Sequence, residues 1–145
     1  MSPVTRRTAV NLLTLLGAWW LARYLSFWIT VALIPISNRL IYEGDAGVVI
    51  MHFWLALPLA LMAAVAAPVV LLLSDMKRKG ILVAILAGLF VYSQFSRAAH
   101  EWTTARDTFD RLGAVIEDVT PALACAVAGV YWSRRGHRIR SPEKT

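Results

Sequence analysis

From Ala46 to Leu73 the chain reads AGVVIMHFWLALPLALMAAVAAPVVLLL, bounded by Asp45 and Asp75, without one Asp, Glu, Lys or Arg. A hydrocarbon core of roughly 30 Å is crossed by about 20 apolar residues in a helix. The run exceeds that length. A helix on a soluble core would carry polar residues on its outer face at nearly every turn, and this one carries none over most of its length. A membrane-spanning helix over 46–73 therefore constrains what the remaining residues can do.

Further runs of the same kind flank it. Arg6 and Arg7 precede NLLTLLGAWWLARYLSFWITVALIPI. That stretch is too long for the apolar region of a secretory or twin-arginine signal, and no A-x-A-like site closes it. It is expected to be a first span over 8–35. A third span is expected over 80–96 and a fourth over 113–133. Starting the fourth at Thr120, with Thr120 as N-cap and Pro121 in the first turn, has suitable local chemistry. It leaves a helix of only about 20 Å at 1.5 Å per residue, so Glu117 and Asp118 are kept within the span. Hydrophobic residues make up 58% of the 145, against about 45–50% in soluble domains.

Between spans three and four, RAAHEWTTARDTFDRL has its own pattern. Phe95, Ala98, Trp102, Ala105, Phe109 and Leu112 recur at steps of three and four, the period of one helix face. The other faces carry His100, Glu101, Arg106, Asp107, Asp110 and Arg111. This predicts an amphipathic helix over 97–112 lying on the membrane surface or folded over the bundle mouth. The expected fold is thus an all-α integral membrane bundle of four transmembrane helices with one surface helix, in one domain, ending in a basic tail over 134–145. Gly80, Ala84 and Gly88 recur every four residues, as do Ala56, Ala60 and Ala64. Such small-residue faces let helices approach closely, so these two are expected to pack together.

The net charge is +6. The basic residues adjoin the apolar runs rather than forming a separate basic face, so they speak for topology and against nucleic acid as a partner. Arg6 and Arg7 precede span one, Lys77, Arg78 and Lys79 join spans two and three, and Arg134, Arg135, Arg138, Arg140 and Lys144 follow span four. With four spans these fall on one side, which the positive-inside rule assigns to the cytoplasm. Both termini are expected there, in a plasma membrane of bacterial inner-membrane type.

The unusual polar groups gather toward the other side: Arg23, His52, Gln94, His100, Glu101, Glu117 and Asp118. Charged groups inside a span are costly and mark functional sites or ion pairs. Arg23 is expected to pair with Glu117 or Asp118, and Gln94 is grouped with them as a ligand or ion-pair candidate. His52 and His100, with Glu101, are candidates for haem or another transition metal. Neighbouring acids on a helix do not face each other, so Glu117 and Asp118 form no catalytic dyad. No nucleophile elbow, zinc-protease helix, phosphate loop or dinucleotide loop is present. Cys125 has no second cysteine with which to pair. The expected function is that of a non-enzymatic subunit or accessory module, bound to another membrane protein or to itself through small-residue faces. The alternative is a ligand-, ion- or cofactor-handling protein with its site at the extracytoplasmic mouth.

Overall fold

The computed structural model describes residues 3–37, 45–74, 79–104 and 108–139. These form four helices: α1 (Pro3–Ser37), α2 (Asp45–Leu73), α3 (Lys79–Thr104) and α4 (Thr108–Ile139). Three are long and apolar enough to cross a membrane, over Arg6–Pro35, Val49–Leu73 and Arg111–Arg135, while α3 carries a shorter apolar stretch, Lys79–Gln94. The chain is an all-helical bundle of membrane-protein character.

The helices alternate in direction. α1 packs on α2, α2 packs most extensively on α4, and α4 packs on α3. The helices next to each other in sequence, α2 and α3, touch far less. Their connection is nonetheless held at its ends: Lys79, which opens α3, donates from Nζ to the Leu71 carbonyl at 2.9 Å. This satisfies one of the carbonyls that a helix end leaves without an intrahelical donor.

Two expectations are corrected. The stretch 97–112 is not a separate surface helix: residues 97–104 prolong α3, residues 108–112 open α4, and 105–107 lie outside the described residues. No proline or glycine interrupts α3 after Gly88, and apolar spacing of three and four is a helix's own period, so the helix simply continues. The second correction concerns packing. Gly80, Ala84 and Gly88 face outward, and nothing lies within 4 Å of where a Cβ would stand on either glycine. On α2, Ala56 and Ala60 are buried, but the buried stripe runs on through Ala63, Ala67 and Val70 rather than Ala64. The main partner of α2 is α4 instead of α3.

The centre of the bundle joins Leu15 and Ala22 of α1, Ala63, Ala66, Ala67 and Val70 of α2, Leu82, Leu86 and Phe90 of α3, and Cys125 of α4. In a bilayer, lipid tails compete for apolar contacts, so close packing of small residues carries the association. α4 supplies one such approach at Gly129, where an added Cβ would overlap the Val83 side chain. Pro58, Pro68 and Pro121 all sit inside continuous helices. Each lacks the N–H that would bond one turn back.

Candidate functional site

The polar groups of the bundle converge at the end where α2 and α4 begin. His52 lies two turns into α2 and Glu117 between two and three turns into α4. Because α2 and α4 run in the same direction, the two residues reach the same level. His52 Nδ1 and Glu117 Oε2 are 3.0 Å apart, and both side chains are largely buried. The ring can come this close to α4 because residue 113 is glycine. A Cβ there would overlap His52 Cδ2 and stand 2.7 Å from Cγ.

Arg23 arrives from α1. Its Nη1 donates to the Ser93 carbonyl of α3 at 3.2 Å, and its guanidinium lies 5.9 Å from the centroid of the Trp19 ring. Ser26, one turn on, donates from Oγ to the Arg23 carbonyl at 2.9 Å. The expected partnership of Arg23 with Glu117 or Asp118 thus takes another form. Arg23 and Glu117 line one cavity, the arginine anchored to α3 and the acid to His52. Asp118, also buried, does not line that cavity.

The cavity measures about 240 Å³ and is walled by Arg23, Ser26, Phe27 and Thr30 of α1, Leu55, Ala56 and Leu59 of α2, Gln94 of α3 and Glu117 of α4. It is apolar on the α2 side, polar at Gln94 and Glu117, and mixed on the α1 side, where Phe27 joins Arg23, Ser26 and Thr30. Gln94 is only 5% exposed, and it lines this cavity. A buried amide ordinarily finds partners, and its place in the wall puts the Gln94 amide within reach of whatever enters the cavity. At about 30 Å³ per water in the liquid, the space holds several waters or one small organic group.

Of the metal candidates, His52 uses one ring nitrogen on Glu117. The side chains of His100 and Glu101 lie outside the described residues. Among the described residues, no group of three His, Cys, Asp or Glu stands ready to hold a metal ion. Sequence reasoning singled out Arg23, Gln94, Glu117 and His52, but not their arrangement. It missed Ser26, Thr30 and Gly113. The step of three or four from Arg23 to Ser26 to Thr30 was a signal within reach, because it puts all three on one face of α1. No family model matches the chain, and no curated protein or solved structure matches it.

Proposed function

We propose that this protein is a membrane-embedded binding module whose site is the cavity between Arg23, Gln94 and Glu117. The ligand is small. It offers an acceptor or anionic group to Arg23, and it engages the amide of Gln94 and the carboxyl of Glu117 beside it. The observation that carries this reading is the convergence of Arg23, Gln94 and Glu117, from three different helices, on the wall of one cavity. Polar side chains from α1, α3 and α4 meet at one place, and intramembrane polar groups are costly to keep without a use.

The orientation belongs to the same proposal. The basic residues before α1, between α2 and α3 and after α4 put both termini in the cytoplasm, and the cavity then opens toward the extracytoplasmic half. Support for a fourth crossing comes from α3, which runs against α4 from Val83 beside Gly129 to the cavity shared by Gln94 and Glu117. Reporter fusions at Gly44 and Lys144 check this, with the first expected outside and the second inside.

The binding test is mass spectrometry of the intact protein extracted from its native membrane, with an optical spectrum and metal analysis of the same sample. Wild type should retain a small molecule that Gln94→Leu and Arg23→Gln lose while remaining folded. If wild type carries no bound molecule, and Gln94→Leu is as stable or more so, the polar lining is architectural and the proposal fails. A second reading, an accessory subunit joined to a partner through small-residue faces, draws support from the outward-facing Gly80–Ala84–Gly88 edge.

A further inference from the structure

We propose that the C-terminal part of α4 is a seat for an anionic phospholipid, its phosphate held by Arg134 and Arg135 and an acyl chain lying along Val127 and Val130. Ala126, Val127, Val130, Tyr131, Arg134 and Arg135 line a groove of about 680 Å³ on this face. Steps of three and four make 127, 130, 131, 134 and 135 a single helical stripe. Val127 is 68% exposed and Tyr131 55%, so the rest of the bundle leaves the stripe open.

The order of chemistry along the stripe is the order within a lipid. Branched aliphatic side chains come first, then an aromatic ring, then two cations. Tyrosine and tryptophan gather at the headgroup level of a bilayer, and Tyr131 and Trp132 stand edge to face there, 6.5 Å apart. The apolar stretch of α4 ends at Arg135, which sets both guanidiniums at the boundary. Arg135 lies 5.5 Å from the centroid of the Tyr131 ring, a contact that holds the cation beside the groove.

Among the described residues no carboxylate stands beside this charge. The described carboxylates, Glu117 and Asp118, lie far up the same helix, about 25 Å from Arg134 at 1.5 Å per residue. Basic side chains at this level attract anionic lipid. A zwitterionic lipid has the same phosphate but brings its own cation, so it gains less. A soluble phosphate has nothing to lay in the groove.

Purified protein in detergent is titrated with phosphatidylglycerol and with phosphatidylcholine of matched chains, and bound lipid is counted by mass spectrometry of the intact complex. Wild type should prefer phosphatidylglycerol by roughly thirtyfold, as two basic groups at the surface imply. Arg134→Gln with Arg135→Gln should bring the preference to about one. Val130→Trp, which fills the groove and keeps both cations, should lower phosphatidylglycerol binding as well. Inorganic phosphate in large excess should not displace the lipid. All three positions are exposed, so the helical signal and the melting temperature should stay at wild-type values. Equal binding of the two lipids by wild type overturns the proposal, as does a preference that survives loss of both arginines. Undiminished binding by Val130→Trp overturns the groove, and displacement by phosphate overturns the lipid as ligand.

Discussion

α4 uses glycine to admit a neighbour at two places, and the neighbours differ. At Gly113 the visitor is the imidazole of His52, which goes on to meet Glu117 one turn along the helix. At Gly129 it is the isopropyl group of Val83. About 24 Å of helix separates the two positions at 1.5 Å per residue. The backbone arrangement is the same and the consequences are not. Valine is branched at Cβ and stiff at χ1, so its contact can only be packing. Histidine has a movable ring with polar edges, so its contact sets where a polar group points. One end of α4 is built for cohesion, and the other holds a side chain in position beside a cavity.

The largest effect should come from Gly129→Val. The new Cβ would overlap Val83 Cγ1 and stand 2.7 Å from Cγ2 and 3.1 Å from Cβ, and a stiff side chain cannot swing aside. Overpacking of this kind costs about 1–3 kcal/mol. Thermal unfolding in detergent should show the loss, and Val83→Ala added to Gly129→Val should recover much of it. Binding at the polar end should be untouched in whatever fraction remains folded. A double variant no more stable than the single one would mean that the α3–α4 contact lies elsewhere.

His52→Leu should come next. It removes one partner from a buried pair and takes a hydrogen bond from the Glu117 carboxyl, a cost of about 1–3 kcal/mol. Glu117→Leu should cost a similar amount. The pair of changes together should cost less than their sum, because neither partner then remains to be desolvated alone. Strictly additive losses would show that the 3.0 Å contact contributes nothing to holding the fold.

Gly113→Ala should separate the two ends most clearly. The ring of His52 is the far end of a flexible side chain and can turn out of the way, giving up its bond to Glu117 at about 1 kcal/mol. Replacing a helical glycine by alanine returns up to about 1 kcal/mol. Stability should therefore stay near wild type while retention of the small ligand falls with the displaced ring. If Gly113→Ala unfolds the protein as Gly129→Val does, the polar end is as tightly packed as the apolar one and the distinction is lost.

The sequence made one of these contrasts legible and hid the other. The long apolar helices could be read because a bilayer demands length and a lack of charge, both visible residue by residue in 46–73. The candidate polar residues stood out for the same reason, as exceptions within apolar runs. Their meeting did not. His52 and Glu117 are 65 positions apart, and their contact depends on α2 lying along α4, which no local pattern encodes. The face of Gly80, Ala84 and Gly88 misled because small residues suit a tight helix contact and an outward surface equally well, and adjacency in sequence did not mean adjacency in the bundle. The stretch 97–112 misled through its period: amphipathic spacing indicates a helix face but not where one helix stops and the next begins.

The smallest expected effect on stability is at Gly88→Leu, and it tests what separates the glycines of α4 from those of α3. Nothing lies within 4 Å of a Cβ built on Gly88, so the leucine meets no neighbour in the bundle. A substitution of that kind usually changes stability by no more than about 0.5 kcal/mol. The melting temperature in detergent should not move. In liposomes a different quantity is exposed. If Gly80, Ala84 and Gly88 form the edge at which a second membrane helix approaches, leucine at the last of them should hold the two backbones apart, because close approach requires small residues along the whole stripe. Energy transfer between labelled copies should fall relative to wild type while the single-chain fold persists. A stability loss on the scale of Gly129→Val would show that this face is packed within the chain. Unchanged energy transfer would remove self-association through this edge and leave the cavity at the other face of the bundle as the feature around which function is organised.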